Sequence, residues 1–155
     1  MSNSALVLLA NGTVPTSNSW TISGLSSYSG YKDIIIELDA YMSTGTTGAL
    51  LFQLNGDTGN NYSFTTLSEK QDPATRIECY PLKAAASRMI YYSITLPDFQ
   101  TSTGKYKNVY VRQGSMDGTI VNLISGYRKN NANVTSVNFN GADLGGHKYR
   151  LYGRL

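Results

Sequence analysis

A small domain does acid, base or covalent chemistry with histidine, activated serine or cysteine, or paired carboxylates, and this sequence offers few of them. Its one histidine, His147, lies in Gly145-Gly146-His147-Lys148, and no serine stands in a G-x-S-x-G elbow. A Ser-His-Asp triad is defined by geometry rather than chain order, but a histidine in a terminal glycine-rich loop reads as a solvated loop residue. Carboxylates are more plentiful, and Glu37 and Asp39 alternate along one apolar run. That spacing sets them on one strand face within ~7 Å, a separation at which two acids can cleave a glycoside. The same spacing arises wherever a cross-strand Lys or Arg neutralises acids on a solvent-facing strand. No catalytic residue is assigned.

Metal ligation has equally little to work with. Zinc is held by clustered Cys and His, and the single cysteine, Cys79, is remote in sequence from His147. A lone cysteine closes no intrachain disulfide and reads as a small buried hydrophobe. Asn55-Gly56-Asp57-Thr58-Gly59-Asn60-Asn61, which runs into Tyr62, does alternate amide and carboxylate oxygens, but it lacks the further carboxylates that calcium usually takes. It reads as a structural turn in which the Asp57 and Asn60 side chains satisfy backbone N–H groups. The glycine-rich loops precede strands, and no Gly-Lys-Ser/Thr follows them, so no phosphate cradle is implied. No cofactor and no metal are expected.

The population that stands out is the 12 tyrosines. Tyrosine joins a large rigid contact area to a polar tip, which suits subunit interfaces and carbohydrate surfaces, although strands are rich in it anyway. Tyr91-Tyr92 and Tyr106/Tyr110 fall in β-prone runs. One of the adjacent pair must face outward, while the i, i+4 pair shares a face. Tyr91, Tyr92, Tyr106 and Tyr110 are therefore the candidate interface residues.

The elements that would position these groups are nearly all strands. Apolar residues at helical spacing come close only over Leu82 to Ile90, enough for a turn or two. Tyr31 to Ser43 reads as a long strand, with Ile34, Ile36, Leu38, Ala40 and Met42 on its buried face and Asp33, Ile35, Glu37, Asp39 and Tyr41 on the other. Ala49 to Asn55 is expected to pair with it as an antiparallel hairpin across the Gly45 to Gly48 turn. Glu69 to Thr75, with Pro73, reads as a polar loop. Further strands at Ala5–Leu9, Ser19–Ser23, Tyr62–Leu67, Arg76–Tyr80, Met89–Leu96, Lys105–Gln113, Thr119–Tyr127, Val134–Asn140 and Lys148–Leu155 follow at short spacing, separated by Gly, Asn or Pro. That pattern predicts an all-β fold: an antiparallel two-sheet β-sandwich over residues 1–155 as a single domain, with a jelly roll as one arrangement that fits. Ala5 to Leu9 has no neighbour to pair with by hairpin, so residues 1–12 are a candidate extended N-terminal arm.

Composition narrows the classes. The 155 residues carry a net charge of +3, and only 15% are charged, against ~25% in typical globular domains. The positive charge is dispersed, so nucleic acid is not an expected partner. No apolar run approaches the ~20 residues of a membrane span. The opening MSNSALVLLANG lacks a basic n-region and a cleavage pattern and reads as a first strand.

Leu51 to Tyr62, LFQLNGDTGNNY, resembles a segment of a group of tailed-phage virion proteins in which an apolar strand runs into N-G-D-T-G-x-N-Y. Tyr31 to Ser43, Ile94 to Val111 and Val134 to Leu155 are similar to flanking segments of that group in the same order. The chain departs from it in lacking an Arg near Tyr41-Met42 and in adding Arg154-Leu155 after L-Y-G. The resemblance implies a non-enzymatic β-sandwich component of the virion. Low charge and abundant Tyr suit lateral packing, and no coiled-coil or collagen-like shaft is visible. The expected role is a capsid decoration or cement protein, a homotrimer binding between major capsid protein subunits on the virion after synthesis in the host cytoplasm. The rival is a tail- or head-fibre adhesin whose Tyr and Asn bind a host-surface glycan.

Overall fold

A computed structural model describes residues 5–15, 19–42, 50–67, 69–79, 88–101, 106–115, 121–141 and 147–155. They form twelve strands: β1 (Leu6–Thr13), β2 (Ser19–Ile22), β3 (Asp33–Met42), β4 (Leu50–Leu54), β5 (Tyr62–Thr65), β6 (Lys70–Ala74), β7 (Ile77–Cys79), β8 (Arg88–Leu96), β9 (Lys107–Ser115), β10 (Val121–Arg128), β11 (Val137–Gly141) and β12 (Lys148–Arg154). A single turn of 3-10 helix covers Leu25–Tyr28.

Period-two burial explains why these segments are strands. In β9, Lys107, Val109, Val111 and Gln113 are buried while Asn108, Tyr110 and Arg112 between them are exposed. In β3, Ile34, Ile36 and Leu38 are fully buried and Ile35, Glu37 and Asp39 are half-exposed. Each such strand has one covered face, the signature of an antiparallel sheet packed on one side only. Two sheets supply the cover. The larger has eight strands in the order β1-β12-β3-β8-β9-β10-β5-β6, and the smaller has four in the order β2-β11-β4-β7. Phe52, Leu54, Val137 and Phe139 of the small sheet belong to one buried cluster with Ile36, Leu38, Ile94, Val109, Val111 and Phe64 of the large one. The protein is an all-β, antiparallel two-sheet β-sandwich.

The chain changes sheet at most of its connections. Only β5–β6, β8–β9 and β9–β10 are successive strands that pair directly. The hairpin expected between Tyr31–Ser43 and Ala49–Asn55 is therefore absent: β3 pairs with β12 and β8, whereas β4 pairs with β11 and β7 in the opposite sheet. Length explains the choice. Ten-residue β3 finds a long ladder in nine-residue β8, from Ile34↔Leu96 to Met42↔Arg88, and five-residue β4 could not supply one.

Two other segments differ from expectation. The polar loop at 69–75 is a strand, β6, and it tolerates Pro73 because it lies at a sheet edge, where one row of N–H groups has no partner strand. Residues 6–12 of the candidate N-terminal arm lie in β1, paired along β12 of the same chain. The helical turn expected at 82–90 falls outside the described residues up to 87, and Arg88 begins β8. No helix among the described residues is long and apolar enough to cross a membrane.

Candidate functional site

The N-G-D-T-G-x-N-Y segment is the corner where the chain crosses from the small sheet to the large one. Asn55 and Gly56 both have positive φ, 58° and 64°, and Asp57 N donates to Leu54 O at 3.1 Å. These are the marks of a type I′ turn, which favours Asn-Gly because Asn and Gly accept left-handed backbone at least cost. The Asn55 side chain ties the corner to the stretch leading into β11. Its Nδ2 donates to Asn133 O at 2.7 Å, and its Oδ1 accepts from Thr135 N at 2.7 Å and Ser136 N at 3.2 Å.

Asp57 does the corresponding work toward the large sheet. Its carboxylate accepts from Gly59 N at 3.0 Å, from Asn61 Nδ2 at 3.1 Å and from Arg128 Nε of β10 at 2.8 Å. Burial would raise the Asp57 pKa, but these three donors outweigh it and hold the carboxyl below the usual range. Lys129 N donates to Asn61 O at 2.6 Å and extends the clasp along the chain. Tyr62 completes it from beneath: its hydroxyl accepts from Leu54 N at 2.9 Å and donates to Leu54 O at 3.2 Å, and burial pushes its pKa up to about 12. Thr58, Gly59 and Asn60 are exposed, and the side chain that caps the Gly59 N–H is that of Asp57. The segment is thus a structural turn, with its one carboxylate taken up by a guanidinium.

The four candidate tyrosines separate by strand parity. Tyr92 is 2% exposed and part of the core, so it is withdrawn from the interface set. Alternation had required one of the Tyr91-Tyr92 pair to face inward. Tyr91, Tyr106 and Tyr110 are exposed. Tyr106 stacks on Tyr127 with ring centroids 5.4 Å apart and planes within 4°. On the outer face of the large sheet, Tyr110 sits beside Ser125 of β10, and Leu123 sits opposite Arg112. A hollow of about 400 Å³ lies there among Thr65, Tyr110, Arg112, Leu123 and Ser125. Met89, Val121 and Leu123 are also exposed, which gives β8, β9 and β10 an apolar and aromatic outer surface.

The groups weighed for catalysis lie at separate elements, the two acids together on β3 and His147 just before β12. Glu37 and Asp39 share the outer face of β3, but Arg150 lies directly opposite Glu37, with Nη1 at 3.9 Å. Burial, a hydrogen bond to Glu37 and the charges of Glu37 and Asp39 together push the Tyr91 phenol up. The His147 backbone carbonyl accepts from Val14 N at 2.8 Å, which makes it part of the start of the β1–β12 ladder. Cys79 is fully buried, and burial pushes its thiol up. No group of three or more His, Cys, Asp or Glu among the described residues could hold a metal ion.

No protein-family model matches the sequence, and no curated protein matches it. Solved structures are similar to it at low identity. The marine PL-14 alginate lyase from Aplysia kurodai is 9% identical, with a TM-score of 0.43 over 86% of this chain and 71% of that one. The binding domain of botulinum neurotoxin DC, in complex with SialylT, is 11% identical, with a TM-score of 0.37 over 97% of this chain and 40% of that one. Neither likeness bears on what this chain binds or does.

Two further ionic groups escaped the sequence reading. Asp33, assigned to the solvent face, is buried and pairs with Arg154 directly across from it, Nε to Oδ2 at 2.7 Å, while its other oxygen accepts from Asp98 N at 3.1 Å. Lys107 is buried opposite Arg128, and its ammonium donates to the backbone carbonyls of Asp98, at 3.3 Å, and Thr101. Burial lowers the Lys107 pKa, the Asp98 charge partly opposing it. The signal for Lys107 was present: it shares parity with Val109 and Val111.

Proposed function

We propose that the chain is a non-enzymatic structural subunit of a tailed-phage particle, a capsid decoration or cement protein that binds between major capsid protein subunits and packs against copies of itself. The observation that carries this reading is the outer face of the large sheet, where Tyr110, Leu123, Val121, Tyr91 and Met89 are exposed on neighbouring strands. Contiguous apolar surface of this kind on a folded domain marks a protein interaction site, and tyrosine is enriched in such surfaces. The hollow beside Tyr110 and Leu123 is of a size to receive a side chain from a neighbour. The N-G-D-T-G-x-N-Y resemblance directs the reading to a virion.

The deciding experiment is the copy number per purified particle, together with the heat and low-salt stability of particles that lack the protein. Hundreds of copies and leakage of DNA from depleted particles support the cement role. A few to a few dozen copies, with depleted particles intact, overturn it in favour of the tail.

One feature gives the adhesin reading a definite site to test. A cleft of about 220 Å³ opens between β1, β2 and β12, with Trp20, Tyr28 and Tyr149 among its walls. Trp20 packs on Phe139, with centroids 5.2 Å apart, and on Tyr149 at 4.7 Å. An indole packed this way on two rings serves the protein's own packing first. Glycan binding that is abolished by Tyr28→Ala would favour the adhesin.

A further inference from the structure

Four strands form the edges of the two sheets, β1 and β6 in the large one and β2 and β7 in the small one. Three of them are blunted by the means natural sheets use against unwanted pairing. β2 and β7 are only four and three residues long. β6 carries Lys70, Asp72 and Pro73 within five residues. β1 carries less of this protection: it is eight residues, LVLLANGT, without a charge or a proline, and a bulge is its one such device. Its inner side is paired along β12 from Leu6↔Arg154 to Thr13↔Lys148, and among the described residues no strand pairs with its outer side. A bulge between Leu8 and Ala10 divides the edge, and the apolar half is Leu6–Leu8. Leu6 is 56% and Leu8 50% exposed. Leu8 sits opposite Tyr152, which sits opposite Ile35, so the apolar surface continues inward from the edge over β12 and β3.

We propose that β1 is an association edge at which two copies of this chain pair antiparallel, β1 against β1, to join two eight-stranded sheets about a two-fold axis, a dimer in place of the homotrimer expected from the sequence. The inference rests on the proposed role as an assembling subunit and names the surface through which copies meet. The occupant follows from the character of the strand. An antiparallel pair of identical strands is isologous, each residue meeting its own image set. An uncharged strand does this without repulsion, whereas Pro73 in β6 lacks the N–H that a paired edge donates. A strand without charge also has nothing with which to select a differently charged partner. Pairing satisfies the free backbone row of both copies and covers Leu6 and Leu8 of one against those of the other. The Tyr110 and Leu123 face stays open, so the same subunit can bind a capsid neighbour while paired.

The test is the mass of the full chain by sedimentation equilibrium over a range of concentrations, for the wild type, for the double variant Leu6→Lys/Leu8→Lys, and for Leu123→Lys on the outer face. Both leucines are exposed, so lysine there should leave the unfolding midpoint in place, which is measured alongside. The wild type is expected to reach a dimer, the double variant to weaken it about tenfold or more, and Leu123→Lys to leave it unchanged. Single Leu6→Cys, Val7→Cys and Leu8→Cys variants supply a second readout. Cys79 is buried and unreactive, so an oxidised dimer in this series reports the β1 contact, and its absence from all three overturns the pairing. A wild type that stays monomeric, forms trimers, or is dissociated by Leu123→Lys but not by the lysine pair overturns the proposal. Those outcomes leave the virion role to be judged by copy number, which does not depend on the mass in solution.

Discussion

Asp57 and Arg128, 71 positions apart, meet at 2.8 Å with side chains only 13% and 5% exposed, and they join the corner after β4 to the end of β10. The pair links the two sheets at the point where the chain passes from one to the other. Removing one partner of a buried ion pair strands the other charge away from water, which costs about 3–5 kcal/mol. Asp57→Ala is expected to lose that much in urea unfolding. The double variant Asp57→Leu/Arg128→Met, which removes both charges, is expected to recover at least ~1 kcal/mol of it. Equal losses in the single and double variants would show that the ion pair is not the source.

The same carboxylate predicts how stability responds to acid. Burial acts to raise the Asp57 pKa, and the bonds from Arg128, Asn61 and Gly59 lower it further than burial raises it. A depressed folded pKa means that the unfolded chain takes up the proton first. The stabilisation is therefore complete above the unfolded value of about 3.9 and is lost as pH falls through the folded value. Asp72 is depressed in the same direction by Lys129. Urea midpoints measured between pH 6 and pH 2 should fall with acid in the wild type, and Asp57→Asn should show a shallower decline from a lower starting point.

Tyr62 is closed off under the corner, with its hydroxyl bonded to both backbone groups of Leu54. Tyr62→Phe keeps the ring and its packing but strands the Leu54 N–H in a buried site, while the Leu54 carbonyl keeps its bond from Asp57 N at 3.1 Å. A loss of about 1–3 kcal/mol is expected, read from thermal or urea unfolding, with the fold itself unchanged by circular dichroism.

Gly126 of β10 shows where the core accepts no added atom. A Cβ there would lie 2.9 Å from Phe64 Cβ, 3.1 Å from Ile77 Cδ1 and 3.1 Å from Ser63 O. Gly126→Ala is expected to cost about 1–3 kcal/mol by overpacking. Gly30→Ala, whose Cβ would meet nothing within 4 Å, is expected to stay within ~0.5 kcal/mol of wild type. Comparison of the two melting temperatures checks the pair.

The strands of this protein were legible in its sequence wherever period two is clean. Ile34, Ile36 and Leu38 against Glu37 and Asp39 identify β3 and its buried face without any structure. Alternation says which face of a strand is covered, but not which sheet the next strand joins. That is why β4 was expected beside β3 and is found across the core from it. The site showed the same limit. The 55–62 turn was readable from its Asn, Gly and Asp, because turn chemistry is local. Its partner Arg128 was not, because nothing near Arg128 in sequence announces a carboxylate 71 positions away. Asp33 was misplaced for a related reason: parity put it on the outer face, and the backbone turn at Asp98 closes over it there.

The position of β12 sets a condition on how the chain comes to be folded during synthesis. This strand of residues 148–154 lies between β1 and β3, paired with one on each side. β1 must wait for it: β1 precedes the other described strands, yet the only neighbour it has among the described residues follows them all. Pairings this distant in sequence close slowly. While the strands between β1 and β12 are being made, then, the uncharged segment LVLLANGT has neither of its edges occupied, and a chain whose synthesis stalls before residue 148 presents a doubly open apolar strand to whatever it meets.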